Sequence, residues 1–242
     1  MKRRRIVRRI LLVIAALLVV AIVGFIIWAE SPMRAEAAPL AAAEEAVTVS
    51  ETAEGVLLTP DDPSGTGLVF VAGARDDPLA YAAKFSGLAE AGVTVVIARP
   101  ILNFAIMEFR GLDTFTSLAP DVDEWFVGGH SLGGVRACQY VADAPDTVAG
   151  LVLFGSYCSA DISESGEPVL SIGAENDGLS TPAKIEAAAG LLPADAEFVE
   201  LPGAVHAQFG DYGEQPGDGT PTATDAEVAD ELTATVLGFI RP

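Results

Sequence analysis

Trp125-Phe126-Val127-Gly128-Gly129-His130-Ser131-Leu132-Gly133-Gly134-Val135-Arg136-Ala137-Cys138-Gln139-Tyr140-Val141-Ala142 is the stretch on which the fold turns. Its first three residues read as a buried strand and its last eight as a helix. Between them lies G-x-S-x-G, with Ser131 at its centre. A serine on a sharp strand-to-helix turn projects its hydroxyl above the edge of a sheet, and flanking glycines let strand and helix pass without side-chain collision. The motif alone is weak, since it should arise by chance roughly 0.1 times in such a chain. The strand before it and the helix after it make Ser131 a candidate nucleophile.

Working outward, short β-branched runs alternate with longer Ala-rich segments. Strands are expected at 46–50, 55–59, 67–72, 93–99, 125–129, 150–155, 168–173 and 197–201. Helices are expected at 79–91, 131–144, 181–190 and 224–239, with a shorter one near 102–118. Leu68-Val69-Phe70-Val71 and Val93-Thr94-Val95-Val96-Ile97 are apolar on both faces. A parallel strand covered by helices on both sides has that pattern. The fold class is therefore α/β, a mostly parallel doubly wound sheet flanked by helices, whose ligands bind beyond the carboxyl ends of the strands. The first two runs are close enough to form an antiparallel edge hairpin.

A serine hydroxyl near neutral pH needs a base to take its proton. The chain has two histidines. His130 adjoins Ser131 and points elsewhere on the turn, which suits a structural or pocket-lining role. His206 follows the last expected strand, in the loop from which a base can reach the serine. A carboxylate must then hold the imidazole tautomer and stabilise its protonated form. Asp177 and Glu175 both follow the strand at 168–173. Asp177 is favoured because it precedes Gly178 in a tight turn and completes the order Ser131, Asp177, His206. An oxyanion hole needs two aimed N–H groups. Leu132 supplies one, and the turn Gly73-Ala74-Arg75-Asp76 the other, with Ala74 first choice and Arg75 second. The two histidines show no ligand spacing, so no metal is expected, and no cofactor.

The charge is divided along the chain. Six of the 14 basic residues lie in the first nine positions and no acid precedes Glu30, so residues 30–242 carry 8 basic and 34 acidic side chains, a net of −26. That surface repels phosphate backbones and argues against a nucleic-acid partner. Residues 10–29 are 20 uncharged residues, about 30 Å as a helix, which matches a bilayer's hydrocarbon core. The expected organisation is a cytoplasmic basic stub (1–9), a transmembrane anchor (10–29), a spacer (30–45) that lifts the domain off the bilayer, and the catalytic domain (46–242). Basic residues before the span and acidic ones after it put the N-terminus in the cytoplasm and the domain outside. A cleaved signal peptide is the alternative, with a domain that is then secreted. Cys138 and Cys158 can pair in an oxidising compartment. One belongs two turns down a helix and the other follows a strand end, so two buried free thiols are expected.

Phe70 to Tyr81, Gly128 to Gly134, Gly173 to Leu179, and His206-Ala207-Gln208-Phe209-Gly210-Asp211-Tyr212-Gly213 with Gln215 to Gly219 form a set. It resembles the α/β-hydrolase superfamily, and within it a bacterial branch of small, often membrane-anchored members. The likeness spans roughly residues 46–240. It implies a triad of Ser131, Asp177 and His206. The departure is Ala72, where the branch prefers Pro, and it bears on the geometry of the oxyanion loop. The resemblance also points to pocket walls at Phe104, Met107, Tyr157 and Phe209, residues that suit ordinary core packing equally well. The expected chemistry is cleavage of a carboxylic ester or related acyl bond in a small-molecule or lipid-like substrate. An acyltransferase acting on envelope lipid or glycan, and an inert binding module that has kept its triad, are the alternatives.

Overall fold

A computed structural model describes residues 2–144 and 147–240. Met1, Pro145, Asp146, Arg241 and Pro242, and with them the outer ends of the expected stub and domain, lie outside the described residues. In chain order the elements are α1 (Lys2–Ala29), α2 (Ala37–Ala46), β1 (Thr48–Glu51), β2 (Gly55–Thr59), β3 (Thr66–Val71), α3 (Ala82–Glu90), β4 (Thr94–Ala98), α4 (Asp113–Thr116), β5 (Glu124–His130), α5 (Leu132–Asp143), β6 (Gly150–Phe154), β7 (Val169–Ala174), α6 (Pro182–Ala188), β8 (Glu197–Leu201) and α7 (Asp225–Ile240). Short 3-10 turns precede α3, follow β4 at Ile101–Asn103 and Ala105–Met107, and carry His206–Phe209.

The eight strands form one sheet in the order β1-β2-β4-β3-β5-β6-β7-β8. β1 and β2 make the expected antiparallel hairpin, with Val49 opposite Leu58. β2 runs antiparallel to β4, and every pairing from β4 to β8 is parallel. Side chains of one strand alternate between two cores. Leu68 and Phe70 join the cluster under α3 and α7, whereas Val69 and Val71 join the one under α5. This double burial is why these runs read as continuously apolar. β3 has β4 on one side and β5 on the other. The loops that follow β3 and β5 therefore diverge and leave a crevice at the carboxyl edge, where doubly wound sheets bind ligands.

Two expectations need correction. Residues 30–45 are not a spacer. Met33 pairs with the loop after β3, through Met33 N–H to Arg75 O (2.6 Å) and Asp77 N–H to Met33 O (2.9 Å). Residues 37–46 then form α2, whose Ala43 is buried and which packs on α3. Its Ala-rich composition favours helix, and its single buried position leaves no amphipathic stripe in the sequence. The cysteines are not free. Cys138 and Cys158 form a disulfide across 5.6 Å between Cα atoms, joining α5 to the loop after β6. α5 packs on β6, so the end of one lies over the turn of the other.

α1 is long and apolar enough to cross a membrane, and none of its apolar window is buried against the domain. Only its end is held. Asn103 Nδ2 donates to Ala29 O (3.0 Å) and Arg75 Nε to Trp28 O (3.2 Å), with the Arg75 guanidinium 4.3 Å over the Trp28 ring.

Candidate active site

Backbone strain marks the turn at Ser131. This residue has φ 53° and ψ −123°, a left-handed conformation that is uncommon outside glycine and recurs at functional sites. Ser131 N–H donates to Phe154 O (3.1 Å), and Ser131 O accepts from Ser156 Oγ (2.7 Å), so neighbouring β6 holds the turn. A Cβ on Gly129 would lie 2.3 Å from the Gly133 carbonyl carbon, and one on Gly133 would lie 2.0 Å from Val71 O. Only glycine fits either place, and that close approach brings α5 down onto the ends of β3 and β5.

The candidate base and its candidate carboxylate meet across two loops. Asp177, after β7, lies 2.7 Å from His206 Nδ1 through Oδ2, and the residues are 3% and 0% exposed. Its Oδ1 accepts from Leu179 N–H (2.7 Å) and Ser180 N–H (2.6 Å), the tight turn that favoured it in the sequence. Burial pushes the Asp177 carboxyl up, but the hydrogen bond and charge of His206 and the two turn N–H groups outweigh it and hold the group below its ordinary value. Glu175 turns away and accepts from Gly203 N–H (2.7 Å). With Nδ1–H committed to Asp177, His206 Nε2 is the basic nitrogen. It is buried and carries no hydrogen bond, to Ser131 or to any other described residue.

The loop after β3 supports Ala74 over Arg75 as an oxyanion donor. Arg75 N–H is spent on Asn103 O (2.7 Å), whereas Ala74 N–H has no acceptor among the described residues. Leu132 begins α5, where N–H groups point out of the helix without intrahelical partners.

Several residues at this edge gave no clear sequence signal. Tyr81 Oη donates to Asp76 Oδ2 (2.6 Å), accepts from Gly73 N–H (3.1 Å) and lies 2.8 Å from His130 Nδ1. With the phenol proton on Asp76, His130 must donate to Tyr81 from Nδ1. Burial and the neighbouring charge of His206 push His130 down, so it is neutral at pH 7. Burial and Asp76 push the Tyr81 phenol well up, so it keeps its proton. The His130 and His206 rings are 4.4 Å apart, so this network lies directly beside His206. Asp218 is the second addition. It accepts from His206 N–H (3.2 Å), Ala207 N–H (2.8 Å) and Gly178 N–H (3.0 Å), tying the histidine loop to the Asp177 turn.

Two of the four pocket candidates pack against other aromatic rings. Phe209 is a core residue, 5.5 Å from Phe154 and 5.5 Å from His130 between ring centres. Phe104 stacks on α1, 5.6 Å from Trp28 and 6.2 Å from Phe25. The sequence places both after strand ends, but a ring there turns toward the largest apolar surface available. Met107 and Tyr157 are half-buried at the carboxyl edge, in the loops after β4 and β6.

Comparison with known proteins agrees with this architecture. A family described as the alpha/beta hydrolase family matches residues 67–230. Among solved structures, an alpha/beta hydrolase enzyme from the metagenome of lagoon sediments at Mar Chica, Morocco, is 18% identical, with a TM-score of 0.56 over 80% of this chain and 97% of its own. A thermophilic esterase from Thermogutta terrifontis is 16% identical, with a TM-score of 0.57 over 81% and 97%. A predicted CIB-like hydrolase from Thermoplasma acidophilum is 12% identical, with a TM-score of 0.59 over 81% and 99%. No curated protein sequence matches the chain. At these identities the structures testify to the fold, and the family match reaches from β3 into α7. The chain belongs to the alpha/beta hydrolase family.

Proposed function

We propose that this protein is a membrane-anchored serine hydrolase that cleaves a carboxylic ester or related acyl bond through an acyl-enzyme on Ser131. The observation that carries the reading is the buried Asp177–His206 pair at 2.7 Å, whose free Nε2 lies at the same sheet edge as the strained Ser131 turn. In the first half-reaction His206 Nε2 takes the Ser131 proton as Oγ bonds to the substrate carbonyl carbon. The oxyanion accepts hydrogen bonds from Leu132 and Ala74 N–H. Collapse breaks the bond to the leaving oxygen, which departs as an alcohol with the proton from His206. Water then attacks the acyl-enzyme, gives its proton to His206, and releases the acid as that proton returns to Oγ. Asp177 holds the Nε2-basic tautomer and stabilises the imidazolium.

The anchor reading rests on α1, and export rests on its basic flank. The disulfide supports export too, since such bonds persist in oxidising compartments. The net charge of −26 beyond residue 29 supports a substrate other than nucleic acid. Turnover of p-nitrophenyl esters by wild type and by Ser131→Ala tests the proposal. Hydrolysis by wild type with loss in the variant is expected; equal rates in both would overturn it.

A further inference from the structure

The end of α1 is fastened to the catalytic edge of the sheet. It bonds to Arg75 in the loop after β3 and to Asn103 in the loop after β4, and Phe104 packs against Phe25 and Trp28 within its last two turns. Arg75, Leu102 and Asn103 all take left-handed backbone conformations there, with φ between 54° and 61°. The two loops are bent into place and tied by Arg75 N–H to Asn103 O. The 101–109 loop therefore lies level with the last turns of α1 and packs on α5, the helix that follows Ser131.

The outward face of this loop is unusual for so acidic a protein. Among the described residues beyond α1, five large apolar side chains are exposed. Four belong to this edge: Ile106 and Phe109 at 74% each, Ile101 at 40% and Leu132 at 39%. The loop's one charged side chain, Glu108, is 2% exposed and turned inward onto Arg110 (2.5 Å). Isolated apolar residues on a surface mean little. A group of them with its charge folded inward, beside an apolar helix of bilayer length, has the composition of an interfacial insertion.

Resting on the anchor reading above, we propose that the 101–109 loop dips into the leaflet from which α1 emerges. The opening to Ser131 then faces the bilayer, and its acyl substrate is an amphiphilic ester drawn from the membrane rather than from water. Trp28, at the end of α1, is then placed at the interface, where amphipathic aromatic rings collect. The acidic remainder of the domain is kept off the leaflet, so contact is confined to the loop whose single charge is turned inward.

Both cysteines of the chain are in the disulfide, so a single added cysteine labels one place. The full chain is reconstituted in phosphatidylcholine vesicles with an environment-sensitive fluorophore at Ile106→Cys, at Ile22→Cys within α1, or at Glu124→Cys at the opposite end of β5. Blue-shifted emission quenched by acyl-chain nitroxide lipids is expected for Ile106→Cys and Ile22→Cys but not for Glu124→Cys. Lipid exposure at Ile22 with water at Ile106 keeps the anchor and overturns the insertion. Water at both positions overturns the two together. A second measurement addresses the substrate, using p-nitrophenyl palmitate held in the vesicles and p-nitrophenyl acetate in water. Ile106→Glu with Phe109→Glu is expected to lower turnover of the palmitate about tenfold and leave the acetate unchanged. Equal effects on both esters would overturn membrane delivery. Loss of turnover of both esters by wild type would instead sink the hydrolase reading and the substrate claim with it, leaving insertion to be decided by the fluorophores.

Discussion

Two buried aspartate–histidine systems stand side by side at the carboxyl edge of the sheet, and they are wired differently. In one, Asp177 bonds His206 directly at 2.7 Å and leaves Nε2 unengaged. In the other, Tyr81 is inserted between Asp76 and His130, whose direct separation is 3.5 Å. A direct carboxylate fixes which imidazole nitrogen carries the proton and leaves the other open. Around His130, burial and the neighbouring charge of His206 keep the ring neutral, and the carboxylate of Asp76 is spent on holding the phenol. The first arrangement suits a base that cycles through imidazolium. The second suits a rigid support, because Tyr81 also receives Gly73 N–H and so fixes the root of the loop that offers Ala74. Under the proposed mechanism, similar residues serve chemistry in one case and geometry in the other.

Substitutions should separate the two systems by orders of magnitude. On the chemical side, Ser131→Ala is expected to lower kcat on p-nitrophenyl esters by about 10^6-fold with the fold intact, measured by initial rates and circular dichroism. Asp177→Asn should cost about 10^4-fold by permitting the wrong tautomer of His206. On the supporting side, Tyr81→Phe is expected to lower kcat only about 10- to 100-fold, through displacement of the oxyanion loop. It should also reduce stability by about 1–3 kcal/mol in urea, since Asp76 and His130 are left with unpaired polar atoms. A loss from Tyr81→Phe as large as that from Asp177→Asn would break the comparison and move the second system into the chemistry.

The pH dependence of stability sharpens the same contrast. His130 lies below its ordinary value when folded, so the unfolded chain binds the extra proton. Its contribution is present above the ordinary histidine value near 6.5 and is lost as pH falls below it. Asp177 is also held low, and its contribution is lost only further down, below the ordinary aspartate value near 3.9. Urea midpoints taken from pH 7 to 5 should therefore fall in wild type and flatten in His130→Gln, by at most about 1.4 kcal/mol per pH unit. An unchanged slope would mean that His130 is not the neutral partner inferred here. The smallest effect on catalysis is expected from Cys138→Ala with Cys158→Ala. That pair should cost roughly 3 kcal/mol of stability and leave kcat near wild type.

The chemical system was far more legible in the sequence than the supporting one. Ser131 announces itself by glycines two residues away on each side, and Asp177 by the glycine after it; both signals are local. His206 could be assigned because the chain offers so few alternatives. The network around His130 joins residues 49 positions apart through a tyrosine in a turn, and no spacing rule links them. The same holds for Asp218, whose role depends on two loops meeting. β3, β4, β6 and β7 were readable because double burial writes continuous apolar runs. α2 was not, since a helix that buries one alanine leaves no stripe. The disulfide was misread because strand-end and helix positions say nothing about distance until α5 is laid on β6. The contact of Phe104 with Trp28 was not legible either, because nothing local in the sequence says where α1 ends.

The central claim is that Ser131 forms the covalent intermediate with His206 as its base. The most direct test is peptide mass mapping of the full chain after reaction with a fluorophosphonate. The account predicts one adduct, on the peptide containing Ser131, formed rapidly in wild type and greatly slowed in His206→Gln. An adduct on another residue, or ester turnover that persists with Ser131 unmodified, would contradict it.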